Sequence, residues 1–234
     1  MTDSSPPRAI TFVRVPPYGP DRTPAYEEWY DNVHIPNRMT KPGFLGGLRY
    51  DCILGRQRYL VMYELTSAAS PEGAEYVALR RWESQQPPDS FEAPGLTRPG
   101  FERGVYDQVG GPEWPDPALL ANIVHIAGFS PAPDARPAVS AWLHGVHAPL
   151  LATLPGVTAV RTFVMTGRTF GAGTGLISTY PQVMTMTYLD DAAALEEPSF
   201  VAAQSESRRI ENTLDREPYL VVGRLAFSAM GVDA

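Results

Sequence analysis

The sequence predicts an α+β protein built from two tandem β-α-β-β-α-β units, and three observations predict it. A short block occurs twice: Trp29-Tyr30-Asp31-Asn32-Val33-His34-Ile35-Pro36 returns as Trp142-Leu143-His144-Gly145-Val146-His147-Ala148-Pro149, 113 positions on, with Trp, Val, His and Pro in register. The flanks keep that offset, Pro24-Ala25 matching Pro137-Ala138 and Pro42-Gly43 matching Pro155-Gly156. The residues around each block break into β-branched and aromatic runs of strand length, separated by helix-start and turn signals. A tryptophan, a histidine and three prolines at one offset read as an internal duplication. Each half is too small to bury a large core alone, so the two are expected to pack on each other.

The first unit begins with Ala9-Ile10-Thr11-Phe12-Val13-Arg14-Val15, a strand closed by Pro16-Pro17. Asp21 to Thr23 offer N-caps and Pro24 an early helical position, so a helix follows from about Pro24 to Val33. Its apolar stripe is Tyr26, Trp29, Tyr30 and Val33, and Pro36 with the Lys41-Pro42-Gly43 turn ends or interrupts it. Phe44 to Leu54 and Arg58 to Leu65 read as strands, Ser70-Pro71 opens a helix through Trp82, and Phe101 to Val109 is the fourth strand. That order is ferredoxin-like.

The second unit repeats it, with strands at Asn122 to Phe129, Val157 to Met165, Gln182 to Leu189 and Tyr219 to Ser228, and helices at Pro137 to Val146 and Ser199 to Ile210. Tyr76-Val77-Ala78 matches Phe200-Val201-Ala202 at an offset of 124, so about eleven residues are inserted between the matched blocks. Thr166 to Tyr180, with its Gly171-Ala172-Gly173-Thr174-Gly175 run, is the place, read as a hairpin extension or a lid. The run lacks the Gly-Lys-Ser/Thr ending of a phosphate-binding loop. Asp107 to Leu119, rich in Gly and Pro, is the linker. The expected divisions are a tail at 1–8, units at 9–110 and 121–229 joined by 111–120, and a tail at 230–234.

With a formal charge of −7, no run of five like charges and no basic cluster, the chain is not expected to bind nucleic acid. No apolar run approaches the roughly 20 residues of a membrane span, and no basic-plus-apolar leader pattern appears. The single cysteine, Cys52, excludes an intrachain disulfide and suits a reducing compartment, so a cytoplasmic protein without membrane partners is expected.

The Trp-Tyr-x-x-x-His-x-Pro stretch at 29–36, the Pro-Gly-Phe at 42–44, the Arg58-Tyr59-Leu60 strand and the Ser70-Pro71 helix start resemble the EthD-like branch of the dimeric α/β-barrel superfamily. The second half keeps less of the pattern, with Leu143 and Val157 in place of the tyrosine and phenylalanine. The resemblance implies that the two units close their sheets into a barrel as an intrachain pseudo-dimer. The barrel partner is then already in the chain, and a further homodimer is optional. It also implies a reaction repertoire of lyases, isomerases, cyclases, cofactor-free monooxygenases and some haem enzymes.

The histidines carry the candidate chemistry. His34 lies four residues after Tyr30 and shares its helix face, pairing an imidazole base with an orienting phenol. The competing reading is a histidine that terminates its helix. His147 is its equivalent. His125, on a predicted strand with Ile123 and Ala127, is a titratable group in the barrel cavity if that set faces inward, and its counterpart at the 113 offset is Phe12. Phe12, Arg14, Arg49, Tyr63, Trp29 and Trp142 are the substrate-lining candidates. His144 and His147 lack a third ligand, so no metal is expected, and Cys52 reads as buried and inert.

The expected activity is a cofactor-independent lyase, isomerase or cyclase moving a proton on a small carbonyl-containing or aromatic substrate. His34, His125 and His147 would be acid/base groups and Tyr30 the orienting phenol, with no cofactor. The alternatives are a monooxygenase or haem enzyme on the same barrel, and a non-catalytic small-molecule binding protein. The His125 cavity is expected to be the active one, and the first to be filled by Phe12, Tyr30 and Tyr63.

Overall fold

Strand β1 (Ala9–Val15) is buried along its whole length, as are β3 (Tyr59–Leu65), β5 (Ile123–Phe129) and β7 (Val183–Leu189). A strand buried on both faces needs a packed layer on each side. The computed structural model of the chain describes residues 7–15, 19–55, 58–92, 102–167 and 181–232. With β2 (Phe44–Leu54), β4 (Glu102–Gly110), β6 (Val157–Met165) and β8 (Tyr219–Met230), the described strands close into one barrel. Their order around it is β1-β3-β2-β8-β5-β7-β6-β4. Each half contributes the same ferredoxin-like order, β4-β1-β3-β2 and β8-β5-β7-β6, and the antiparallel seams β2–β8 and β4–β6 join the halves. The fold is thus the α+β pseudo-dimeric barrel, closed within one chain.

Alternation along the strands separates two environments. Ile10, Phe12, Leu48, Leu60, Met62, Tyr106, Val124, Ile126, Phe163, Met184, Met186 and Tyr188, from both halves, form one cluster inside the barrel. The opposite faces pack under helices. In the first half that layer holds Val13, Val61, Tyr63 and Val105; in the second it holds Ile123, Val160, Leu189 and Val222, with Ala127 and Val183 in an adjoining cluster. The lumen also contains charge. Arg161 on β6, fully buried, reaches across to Glu64 on β3 with two parallel bonds of 2.6 and 2.9 Å. It also donates to Gln108 Oε1 at 2.6 Å and to Tyr188 Oη at 3.3 Å.

The repeated block does not end its helix at Pro36. Helix α1 (Thr23–Trp29) passes through a π turn (Tyr30–His34) into α2 (Ile35–Met39), and α4 (Arg136–Trp142) passes through a π turn (Leu143–His147) into α5 (Ala148–Ala152). A proline has no N–H for the i−4 carbonyl, which would break an α-helix here. Widening to the i−5 register just before it, with Ile35 N–H on Tyr30 O and Ala148 N–H on Leu143 O, carries the chain past the gap. The second helices are shorter than read from sequence. Helix α3 spans Ala74–Glu83 after a 3₁₀ turn at Ser70–Glu72, and α6 spans Pro198–Ser205 before a 3₁₀ stretch at Glu206–Thr213. No helix among the described residues is long and apolar enough to cross a membrane.

The segment after β4 does more than connect. Trp114 inserts among the lumen side chains at 4% exposure, and its indole N–H donates to Leu45 O at 2.9 Å. Leu119, on the 3₁₀ turn Pro117–Leu120, is buried in the same cluster. The connection therefore plugs one end of the barrel. Trp114→Phe keeps most of the apolar area and removes one of the two bonds to Leu45 O, which still accepts the Gly231 N–H at 2.8 Å. It is expected to lower stability by about 0.5–1.5 kcal/mol, measured as a shift in the urea midpoint at unchanged slope. Of the expected hairpin at 166–180, residues 168–180 lie outside the described residues, as does Phe101.

Candidate functional site

His125 points the other way from the barrel cavity expected for it. Its neighbours Val124 and Ile126 fill the lumen, so His125 faces the helices, with Phe200 of α6 edge-on at 5.4 Å. Period two shows which residues share a face but not which face is inside. The register also corrects its counterpart. Ala9 pairs with Leu65 as Ile123 pairs with Leu189, which places Thr11, not Phe12, at the position of His125. Phe12 is a fully buried lumen residue.

His147 descends into the same layer from the π turn, 1% exposed, its ring stacked on Trp142 at 4.8 Å. The two imidazoles are close enough for the charge of one to oppose protonation of the other. Thr187 stands opposite His125 on β7 and Thr185 opposite Ala127, both fully buried. Gln204 on α6 follows buried Ala203. Five side chains here carry buried polar atoms with no hydrogen-bond partner: His125 Nδ1, both ring nitrogens of His147, Thr185 Oγ1, Thr187 Oγ1 and Gln204 Nε2. An unpartnered buried donor or acceptor costs on the order of 1–3 kcal/mol, so several in one layer mark a place built for something polar. Burial pushes the pKa of His125 down to about 4, and the nearby His147 adds to that. Burial likewise lowers His147 to about 4, against a smaller opposing pull from Glu206. Both imidazoles are neutral at pH 7.

The matching layer of the first unit is phenolic and cationic. His34 stacks on Tyr30 at 4.2 Å and lies 4.7 Å from Trp29, and Tyr30 Oη is 3.4 Å from Tyr63 Oη. Burial, with the charges of Arg38 and Arg80, holds His34 well below the usual histidine pKa, and burial raises both phenols. Arg38 donates to Glu83 at 2.6 Å and to His34 O at 3.1 Å. Tyr30 and Tyr63 lie in this first layer, while Phe12 lies on the other side of the sheet.

The remaining lining candidates have structural partners. Arg49 forks onto Asp31 at 2.7 and 2.8 Å and reaches Asp51 at 2.7 Å, tying the π turn to β2. Arg14 lies over the Tyr219 ring at 4.6 Å. Trp29 donates to Glu92 at 3.1 Å. His144 is exposed, its Nδ1 3.4 Å from Thr162 Oγ1. Among the described residues no group of three or more His, Cys, Asp or Glu side chains is arranged to hold a metal. Burial pushes the Cys52 thiol up to about 12, which removes its nucleophilic form at neutral pH.

Solved structures share this fold over nearly the whole chain. A protein described as anthrone oxidase-like superposes with a TM-score of 0.66 over 98% of this chain and 95% of its own, at 12% identity. A provisionally named monooxygenase from Fusobacterium nucleatum gives 0.60 over 97% and 96%, at 7% identity. A provisionally named chlorite dismutase gives 0.53 over 94% and 95%, at 12% identity. No protein-family model matches the chain, and no curated protein matches it either. These similarities establish the dimeric α/β-barrel fold. They overturn the expected lyase, isomerase or cyclase, since these three matches bear oxidase, monooxygenase and chlorite dismutase names.

Proposed function

We propose that the protein is an oxidase or monooxygenase acting on a small, neutral, electron-rich aromatic molecule in the helix–sheet layer of the second unit. The observation that carries this reading is the set of unpartnered polar groups around His125 and His147 in an otherwise apolar layer. Their chemistry suits a substrate whose C–H is acidified by an adjacent carbonyl or phenol. A neutral imidazole takes the proton, and the carbanion delocalises onto oxygen, where Thr185, Thr187 and Gln204 can donate hydrogen bonds. Burial disfavours the imidazolium only while it lacks a counter-charge, and the substrate anion supplies one. That anion reduces dioxygen, the resulting hydroperoxide loses water, and a CH₂ becomes C=O with one O₂ consumed and one H₂O released.

A haem fits the donor but not the charge. His147 would be the residue to hold the iron, through a ring nitrogen that has no hydrogen-bond partner. The positions that carry Arg38, Arg80 and Arg103 in the first unit are Leu151, Gln204 and Leu220 in the second, and these three would offer no cation to a haem's carboxylates. The reading therefore involves no haem.

The repeated block supports descent of the two units, 9–110 and 121–229, from one duplicated ancestor, and its first copy supports kinship with the EthD-like branch. Barrel closure within the chain makes self-association unnecessary for the site.

The test is oxygen uptake with a tricyclic anthrone as substrate. One O₂ consumed per ketone formed is expected from a colourless protein, and His125→Phe and His147→Leu should each lower the rate by roughly 10² to 10⁴. Turnover unchanged in the double variant, no uptake across a panel of such substrates, or a Soret band in the purified protein would overturn the reading.

A further inference from the structure

Four tyrosines of the first helix–sheet layer have no aromatic counterpart in the second. Tyr26, Tyr30, Tyr59 and Tyr63 correspond to Val139, Leu143, Val183 and Thr187. In the first unit their rings adjoin. Tyr26 lies 5.2 Å from Tyr30 and 5.7 Å from Tyr59, Tyr30 stacks on His34 at 4.2 Å, and the hydroxyls of Tyr30 and Tyr63 are 3.4 Å apart. All four belong to one apolar cluster. In the second unit the apolar side chains of this layer form two clusters with a polar band between them. On β5, His125 stands between Ile123 of one cluster and Ala127 of the other; on β7, Thr187 and Thr185 stand between Leu189 and Val183 in the same way. His147 and Trp142 keep the places of His34 and Trp29, stacked at 4.8 Å. The histidine that carries a phenol in the first unit thus has a leucine beside it in the second.

We infer that Leu143 and Thr187 are the specificity-determining residues of the second layer, and that they select a neutral fused-ring phenol. One ring of the ligand takes the place that Tyr30 fills in the first unit, against His147, and its hydroxyl meets Thr187 Oγ1 as the Tyr30 hydroxyl meets that of Tyr63. The inference rests on the His125–His147 layer being the substrate site, and it fixes how the substrate lies there. The first unit shows that this framework holds a phenol against a buried histidine, with a second hydroxyl to meet it. Because the four tyrosine places adjoin, shortening all of them favours a flat body of more than one ring, with apolar walls on both sides. Thr187 Oγ1 and His125 Nδ1 are buried without partners, so a ligand hydroxyl satisfies groups that a bare hydrocarbon leaves unpaired. Both imidazoles are neutral at pH 7, which favours an uncharged phenol over a carboxylate.

Calorimetric titration of the full chain with 2-naphthol tests this, with naphthalene and 2-naphthoate as comparisons. 2-Naphthol is expected to bind once per chain at submillimolar concentration, and the other two each at least tenfold more weakly. Leu143→Tyr, which installs the first unit's residue, should weaken 2-naphthol at least tenfold without lowering the melting temperature, since its own ring takes the vacated place. Leu143→Met, of similar volume and without a ring, should bind as the native chain does. Thr187→Val should reduce the preference for 2-naphthol over naphthalene severalfold, with naphthalene binding unchanged. Undiminished binding in Leu143→Tyr, a lower melting temperature in that variant, equal binding of naphthalene, or a preference retained in Thr187→Val would overturn the proposal. 2-Naphthol has no CH₂ to oxidise, so its binding is read separately from oxygen uptake. A native chain that turns over an anthrone while its Leu143→Tyr variant still binds 2-naphthol keeps the oxidase reading and overturns this one alone.

Discussion

Replacing Arg161 by Met is expected to destabilise the protein by about 3–5 kcal/mol, the range for leaving one member of a buried ion pair without the other. Glu64 is 2% exposed and takes both of its short charged bonds from Arg161. Without that guanidinium its carboxylate faces Met62, Phe163 and other apolar lumen groups, and Gln108 Oε1 loses a 2.6 Å donor. A domain with a stability of 5–15 kcal/mol would lose a large share of it. Removing both charges should restore most of the loss, since a buried pair replaced by apolar groups of similar volume is often neutral or stabilising. Denaturant unfolding of Arg161→Met, Glu64→Met and the double variant measures this directly. Additive losses in the double variant would show that the two side chains do not act as a pair.

A second large effect is expected from pH. His125 and His147 have folded pKa values of about 4 against 6.5 for the unfolded chain, so between those values the unfolded state binds more protons. Stability therefore rises with pH through this window and is lost as pH falls from 6.5 towards 4; below about 4 the two residues contribute no further loss. Moving from pH 7.5 to pH 5 should cost about 2 kcal/mol for each of the two, about 4 kcal/mol together. His34, also lowered by burial, adds in the same direction. Urea midpoints across this range should fall steeply for the native chain and more shallowly for His125→Phe with His147→Leu. A double variant as acid-sensitive as the native protein would place the proton uptake elsewhere.

The fold was legible because the repeated Trp-x-x-x-Val-His-x-Pro block set two equivalent helices, and the spacing of apolar runs around them set the strand order. The site was legible only in part. His34 and His147 stand out because the block repeats them, but the face of His125 was read from strand periodicity, which leaves inside and outside undetermined in a strand covered on both sides. An offset of 113 holds for the helices of the repeated block, while β1 and β5 are related by 114, and that one residue exchanges Thr11 for Phe12. Thr185 and Thr187 left a usable signal. In Met184-Thr185-Met186-Thr187-Tyr188 the polar residues alternate with bulky apolar ones, which puts two hydroxyls on one buried face. Glu64 and Arg161 are likewise single charges within apolar strands, a pattern that asks for a partner across the core. Trp114 lay in a segment rich in Gly and Pro, and local composition gives no hint that a tryptophan there would close a barrel.

The pair formed by Glu64 and Arg161 also decides which halves can mate. Equivalent positions in the other unit hold Tyr188 and Leu48, so a barrel made from two first units would bury two Glu64 carboxylates, each facing a leucine. One made from two second units would bury two arginines, each facing a tyrosine. Only a first unit with a second gives a neutral lumen, at a difference of several kcal/mol. The charge placement therefore acts as an address. Even if two chains exchanged halves at high concentration, each barrel would still be assembled from unlike partners.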